Sequence, residues 1–346
     1  MIEIIRDKEQ WDSLVGSIEH SDFYHTYNYH ELSRKDNERP VLIKYTEQDT
    51  IIAIPLLSRR VFETDYYDLT SVYGYPGPIG SNISKTFDNT KFKKELGAFL
   101  HSKKVVSVFS RLNPFINQQE AILKNVGFIA DHGKVVNIDL TQKLEIQRQQ
   151  YNKRLKTYIN KSRRLCTLSN ATTQEEIQLF IEMYYENMHR VNAKRDYFFD
   201  KAYFDNLLGS NDFEAEILLT SFNENKEVIA GALFVKKNNI VQYHLSGARE
   251  KYLFLNPVKL MIDEMRIKAT KEGFTYFNLG GGVNTKEDSL FHFKSNFSKD
   301  FKTFKLWKYI IDEEAYCDLV RKTGKDCRIE DNALKVDFFP YYRHNI

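Results

Sequence analysis

The residues with the clearest chemical potential lie between Gly273 and Ile311. Gly280, Gly281 and Gly282 follow an alternating aromatic and polar run, Phe274 to Leu279, that reads as a strand. Three glycines in a row give a backbone that another molecule can approach closely. Asp288 then opens a short helix, with Phe291 three residues on and Lys294 one turn beyond Leu290 and Phe291. The pattern sets a cation on an apolar helix beside a bare glycine loop. A strand, a turn and an amphipathic helix with a solvated lysine would give the same pattern.

Positive charge is the second concentration of chemistry. No acidic residue occurs from Ile146 to Gln174, while Arg148, Lys153, Arg154, Lys156, Lys161, Arg163 and Arg164 fall within that stretch. Tyr151, Leu155, Tyr158 and Ile159 give it helical periodicity. Such a run is a solvated helix face, or it holds a phosphate-rich ligand through charge and counterion release. No aromatic-interleaved RNA signature accompanies it. Other candidates carry paired readings. His244, inside a predicted strand over Ile240–Ser246, is a satisfied core histidine or a base. Arg111, at the end of a predicted strand and beside Asn113-Pro114, faces a cleft or caps the strand. Tyr73 and Tyr75 line an acceptor groove or pack.

The elements that must position these residues follow a repeated order. Each half runs helical region, hairpin, strand, helix, strand, helix, strand. Val41–Leu57 corresponds to Glu216–Val235, Leu69–Tyr75 to Ile240–Ser246, Phe92–Leu100 to Pro257–Thr270, Val105–Leu112 to Phe274–Leu279, and Val135–Leu140 to Thr303–Ile311. Asp7, Thr173 and Asp200 read as helix caps, and Asn256 as the cap of a helix with Pro257 at its first position. The fold class is α/β with mixed sheets, in two tandem units. The division falls near Leu140–Lys153, giving domains over residues 1–145 and 146–346. The aromatic tail, Phe338 to Arg343, docks back on the body.

Composition bounds the function classes. The 346 residues suit about two domains, and 42% hydrophobic content is ample for packed cores. A net charge of +3 imposes no global field that demands nucleic acid or membrane. Cys166, Cys317 and Cys327 are odd in number and lack metal-type spacing, which points to a reduced compartment and no metal. The first residues are charged too early for a signal peptide, and no run approaches the ~18 apolar residues of a membrane span. The expected location is the cytoplasm.

Several motifs resemble the Fem family of aminoacyl and peptidyl transferases and their acetyltransferase-like (GNAT) relatives. They are the Met188–Tyr197 connector, Gly231-Ala232-Leu233-Phe234, Gln242-Tyr243-His244-Leu245-Ser246-Gly247, Asn278-Leu279-Gly280-Gly281-Gly282 and Asp288-Ser289-Leu290-Phe291-His292-Phe293-Lys294. The resemblance covers residues 150–320 well; the first half matches mainly through Tyr73-Gly74-Tyr75-Pro76-Gly77-Pro78. It implies two tandem GNAT-like acyltransferase domains and transfer of an acyl or aminoacyl group to an amine of a cell-envelope precursor. Phe293 and Lys294 match the family's Phe-Lys pair, which would set Lys294 near the transferring carbonyl, where an ammonium stabilises an oxyanion. The connector makes Arg195 a substrate-binding candidate. Many Fem enzymes carry an acid soon after the first-domain Gly-Pro. Here Ile79, Gly80 and Ser81 follow Gly77-Pro78, which leaves Asp288 as the substitute proton acceptor.

The expected donor is a coenzyme A thioester or aminoacyl-tRNA, with no tightly bound cofactor. For the coenzyme, Gly247 to Tyr252 and Asn256 form the loop before a helix where phosphates would sit, although Pro257 removes one amide donor. No charged heptad arm of the tRNA-binding branch occurs. Expected partners are a small-molecule or lipid-linked envelope precursor and peripheral membrane contact. The alternatives are a coenzyme A-dependent amino-sugar N-acetyltransferase, a non-catalytic binding module, and nucleic-acid binding through Lys153–Arg164.

Overall fold

In chain order the first elements are β1 (Ile2–Ile5), α1 (Lys8–Gly16), α2 (Tyr27–Ser33), β2 (Glu38–Glu47), β3 (Thr50–Arg60), β4 (Tyr67–Thr70), β5 (Ile79–Ser81), α3 (Thr90–Ser102), β6 (Val105–Arg111), α4 (Gln119–Ile122) and β7 (Phe128–Asp139). There follow α5 (Leu144–Gln149), α6 (Lys153–Leu165), β8 (Cys166–Asn170), α7 (Gln174–Arg190), α8 (Lys201–Leu208), β9 (Glu214–Phe222), β10 (Val228–Lys237), β11 (Ile240–Ala248), α9 (Pro257–Lys271), β12 (Tyr276–Gly280) and α10 (Ser289–Ser295). The chain closes with β13 (Asp300–Ile310) and α11 (Glu313–Lys322). This computed structural model describes residues 1–327 and 338–344. Residues 328–337 and 345–346 of the second expected domain lie outside the described residues.

Two compact units divide the chain: Met1–His132 with Thr303–Ile346, and Gly133–Lys302. In the first, the sheet order is β1-β2-β3-β4-β6-β13, with β5 also on β3. In the second it is β8-β9-β10-β11-β12-β7. Both orders have the same pattern. A hairpin and a further antiparallel strand lead to one parallel pair, β4–β6 or β11–β12, which an antiparallel strand then follows. The repeat expected from element order is therefore present in strand pairing.

The last strand of each sheet comes from the other half of the sequence. β7 follows β6 in the chain but pairs with β12, while β13 follows β12 but pairs with β6. This exchange is why the first unit holds residues 303–346, a division different from the one expected after residue 145. Element order alone does not state which sheet a strand joins.

Local rules explain most of the elements. β2 and β3 form a hairpin closed at Glu47↔Thr50, with Gln48 at φ 50° in the turn. Thr173 and Glu176 form a reciprocal capping box at the start of α7, and Asp200 accepts the Tyr203 amide at 2.9 Å to start α8. Buried Val41, Ile43, Ile54, Leu56, Phe92 and Leu96 build one core of the first unit. In the second unit Phe234, Met261, Met265 and Phe277 lie in the main core.

The aromatic tail docks as expected. Phe339 and Tyr342 pack with Tyr316, Leu319 and Val320, and the Tyr342 hydroxyl donates to Asp68 Oδ2 at 3.1 Å. Two expectations fail. The strand expected over Leu69–Tyr75 ends at Thr70, because Gly74 turns at φ +128° and Pro76 follows. The three cysteines are not all reduced: Cys317 and Cys327 form a disulfide with Cα atoms 5.2 Å apart, and only Cys166 is free. Ten residues separate the pair, too wide a spacing to suggest a metal pair and too common to announce a bridge. Among the described residues no helix is long and apolar enough to cross a membrane.

Candidate active site

The second unit carries an opening at the carboxyl end of its parallel pair. β11 and β12 pair only from Ile240–Tyr276 to Gln242–Asn278. Beyond that point β11 continues to Ala248 beside β10, and β12 continues to Gly280 beside β7. A bulge lies at the parting on each strand. On β11 the register skips His244, between Tyr243↔Phe234 and Leu245↔Leu233. On β12 it skips Leu279, between Asn278↔Asn137 and Gly280↔Val136. Bulges bend a strand and re-aim its side chains.

Asn278 fixes the fork. Its side-chain amide donates to Gln242 Oε1 at 2.8 Å across the last pair, and its oxygen accepts the Gly280 amide at 2.9 Å. Both side chains are buried. The three glycines then run where side chains have no room. Gly280 stands at φ +77°, an added Cβ at Gly281 would meet the Lys134 carbonyl oxygen at 2.6 Å, and one at Gly282 would meet the Lys286 oxygen at 2.0 Å.

Lys294 fills the space against this loop. Helix α10 presents it from the side, and it is 8% exposed. Its Nζ donates to the Gly281 carbonyl at 2.7 Å, the ammonium's only acceptor among the described residues. Burial lowers its pKa to about 8, against a smaller raising effect of Asp288. A buried ammonium with unspent donors, next to bare backbone, can hold a developing oxyanion. The solvated-lysine alternative fails on burial.

Asp288, the expected proton acceptor, is engaged by backbone amides. Oδ1 accepts the Phe291 amide and Oδ2 accepts the Val283 amide, each at 2.9 Å. Burial raises its pKa, but the Phe291, Val283 and Leu290 amides and the Lys294 charge outweigh it and hold the carboxyl below its ordinary range. Asp288 therefore caps α10 and ties the glycine loop to it, and its low basicity suits a base poorly. Phe293 is half-buried and packs edge-on against Phe297, with centroids 5.9 Å apart.

The remaining candidates of the second unit take milder places. His244 is half-buried, stacks on Tyr203, and its Nε2 lies 2.7 Å from that hydroxyl. Burial lowers its pKa to about 4, so it is neutral. Arg195 is exposed in a short 3-10 turn, Arg195–Tyr197, whose neighbours are pinned where Tyr184 donates to the Tyr197 carbonyl at 2.6 Å. Asn256 adopts φ 55°, ψ 46° and makes no side-chain cap. Its Oδ1 instead accepts Lys259 Nζ at 2.6 Å.

The basic segment splits in two. Asp263, fully buried, accepts from Arg148, Arg163, Arg266 and the Tyr151 hydroxyl at 2.9–3.2 Å. Two of the seven cations are thus structural. Arg154 and Lys259 instead flank the Tyr158 ring at 5.3 and 4.3 Å, near the start of α9. Tyr73, Tyr75 and Arg111 belong to the first unit, where Arg111 lies 5.6 Å from the Tyr73 ring centre. The residues that sequence reasoning did not single out are Gln242 and Asn278. They sat inside quoted motifs, but nothing in a linear pattern marks two amides as neighbours on separate strands.

Residues 147–295 match the family model for the acetyltransferase (GNAT) domain. That stretch contains α6, the splayed strands, the glycine loop and Lys294, and it makes the chain an N-acyltransferase by class. The whole chain is similar in fold to FemX, with 14% identity over 91% of this chain and 98% of that one and a TM-score of 0.71. It is also similar in fold to L-PGS from Bacillus licheniformis, with 14% identity over 88% and 91% of the two chains and a TM-score of 0.54. A conserved protein of unknown function from Bacteroides thetaiotaomicron shares 14% identity over 90% of this chain and 100% of that one, with a TM-score of 0.57. No curated protein matches the sequence. The Fem-like, GNAT-type fold of two tandem units expected from the motifs is the fold observed.

Proposed function

We propose that the chain moves an acyl group from a coenzyme A thioester to an amine of a cell-envelope precursor, with Lys294 as the oxyanion-stabilising residue. The buried Lys294 ammonium on the Gly281 carbonyl, at the mouth of the β11–β12 fork, carries this reading. The GNAT match supports a coenzyme A donor, and nothing supports aminoacyl-tRNA in its place. The fold likeness to FemX supports an envelope acceptor.

The donor carbonyl enters the fork beside Gly280–Gly282, where the Lys294 ammonium lies against the loop. The acceptor nitrogen adds to that carbonyl, the thioester C–S bond breaks, and the amine loses one proton while the thiolate gains one. Lys294 supplies charge to the oxygen as it becomes negative. Pro257 leaves the first turn of α9 short of an amide, and Glu250 N already donates to Glu186 at 2.7 Å. Phosphates of the donor are therefore held by Arg154 and Lys259 at the start of α9 more than by backbone. The half-buried Lys259 has a lowered pKa, from burial first and the Arg154 charge second.

The test is release of free thiol from acetyl-coenzyme A in the presence of amino-sugar acceptors. Release by the wild-type protein, reduced about 100-fold or more in a folded Lys294→Ala variant, is the expected result. No acceptor-dependent release, or full activity in that variant, overturns the proposal.

A further inference from the structure

Each unit has one parallel pair, and the two ends differ in chemistry. In the first unit the β4–β6 pairing ends at Thr70↔Phe109, and β6 goes on to Arg111. Where the second unit is bare glycine, this end carries an arginine. The Arg111 guanidinium carbon lies 5.6 Å from the ring centre of Tyr73 and 5.8 Å from that of Phe109. The two rings hold the planar group and leave its N–H donors unspent: among the described residues Arg111 has no ion pair and no side-chain hydrogen bond. The side chain is half-buried.

Lys305, whose carbonyl accepts the Leu112 amide at 2.8 Å, engages Glu120 at 2.8 Å and Asp131 at 3.7 Å. Lys308 lies opposite Phe109 in register. The charges of Arg111 and Lys308, after burial, hold the His132 pKa down. A planar guanidinium with unspent donors matches a carboxylate or phosphate edge. Tyr73 is 62% exposed, yet its backbone is fixed: Tyr29 donates to its carbonyl at 2.9 Å, and the Tyr24 ring packs against Gly74. An exposed ring on a fixed loop is a platform for a planar group.

We propose that Arg111 and Tyr73 form an anion subsite in the first unit, which takes the carboxylate or phosphate of a ligand whose planar portion lies on Tyr73. This deepens the proposed function, on which the ligand's role rests, by giving the acceptor an anionic group. The site itself can be tested without any transfer.

The experiment is calorimetric titration of the full chain with phenyl phosphate, benzoate and inorganic phosphate at low ionic strength. At least one aromatic anion should bind at millimolar concentration, and Arg111→Gln should weaken it about tenfold or more. Arg111→Lys, which keeps the charge but loses the fork, should fall between. Tyr73→Ala should weaken the aromatic anion more than inorganic phosphate. Preference for phenyl phosphate identifies a phosphate subsite, and preference for benzoate a carboxylate subsite. Absence of binding by both aromatic anions, or unchanged binding in a folded Arg111→Gln protein, overturns the inference. Lys294→Ala should bind the same anions as wild type, so a chain that binds but never transfers would refute the proposed function and leave the subsite standing.

Discussion

The Lys294 ammonium donates to the Gly281 carbonyl at 2.7 Å, and an added Cβ at Gly280 would sit 3.1 Å from the same nitrogen. The lysine thus occupies space that only a glycine loop leaves open. Its burial has a measurable cost. The folded pKa of about 8 lies below the ordinary lysine value of 10.5, so the unfolded chain binds more protons between those two values. Stability therefore rises with pH from about 8 to about 10.5 relative to a variant without the group. Lys294→Met should be more stable than wild type by up to about 3 kcal/mol at pH 7, with the gap closing by pH 10.5. Denaturant melts of both proteins at four or five pH values check this. A constant gap would show that the ammonium is not desolvated.

Activity should follow the same titration in the opposite sense. If the charged form of Lys294 stabilises the oxyanion, kcat/KM should fall as pH rises through about 8. Acceptor amines lose protons over the same range and push the rate upward. A poorly basic acceptor, already neutral at pH 7, isolates the lysine limb. A flat profile with such an acceptor counts against the role of Lys294.

Much of this was legible in the sequence, for local reasons. The β2–β3 hairpin, the Thr173–Glu176 capping box and the strand-glycine-helix order around Lys294 are set by neighbours in the chain, and they stand where pattern placed them. Long-range pairing was not legible. The exchange of β7 and β13 leaves no mark on either strand, because each still alternates as any strand would. Likewise the acid-free run from Ile146 looked uniformly available, while Asp263, far along the chain, claims Arg148 and Arg163. Asp288 opens α10 as its position before the helix suggested, while its use as a proton acceptor is not marked by local sequence, because a capping carboxylate and a catalytic one look alike there.

The glycine loop should tolerate little. A Cβ at Gly281 would stand 2.6 Å from the Lys134 carbonyl, a backbone atom that cannot swing aside. Gly281→Ala should lower stability by about 1–3 kcal/mol and reduce transfer together with it, since the loop must shift. Gly273→Ala is the control: its φ of +85° strains the substitution, but nothing lies within 4 Å of the new atom. It should lose stability with transfer retained. Thermal melts and thiol release on both variants separate the outcomes; equal loss of transfer in the two would mean that the loop around Lys294 is not special.

Asp263 gathers three arginines in the second unit. It is fully buried and accepts from Arg266, Arg148, Arg163 and the Tyr151 hydroxyl, which together neutralise it. Removing one side of a buried ionic cluster leaves the other charge uncompensated, at about 3–5 kcal/mol. Arg266 is the residue exposed to that penalty, being almost fully buried itself. Asp263→Ala should therefore lower the melting temperature by many degrees. Asp263→Asn, which keeps an acceptor but no charge, should recover part of the loss. Arg163 keeps its ion pair with Glu264 at 3.0 Å, so Arg148 is the cation that the Asn variant releases, and that variant should bind inorganic phosphate more tightly than wild type at low salt. A melting temperature unchanged in Asp263→Ala would mean that water replaces the carboxylate, and that the basic segment was never held by it.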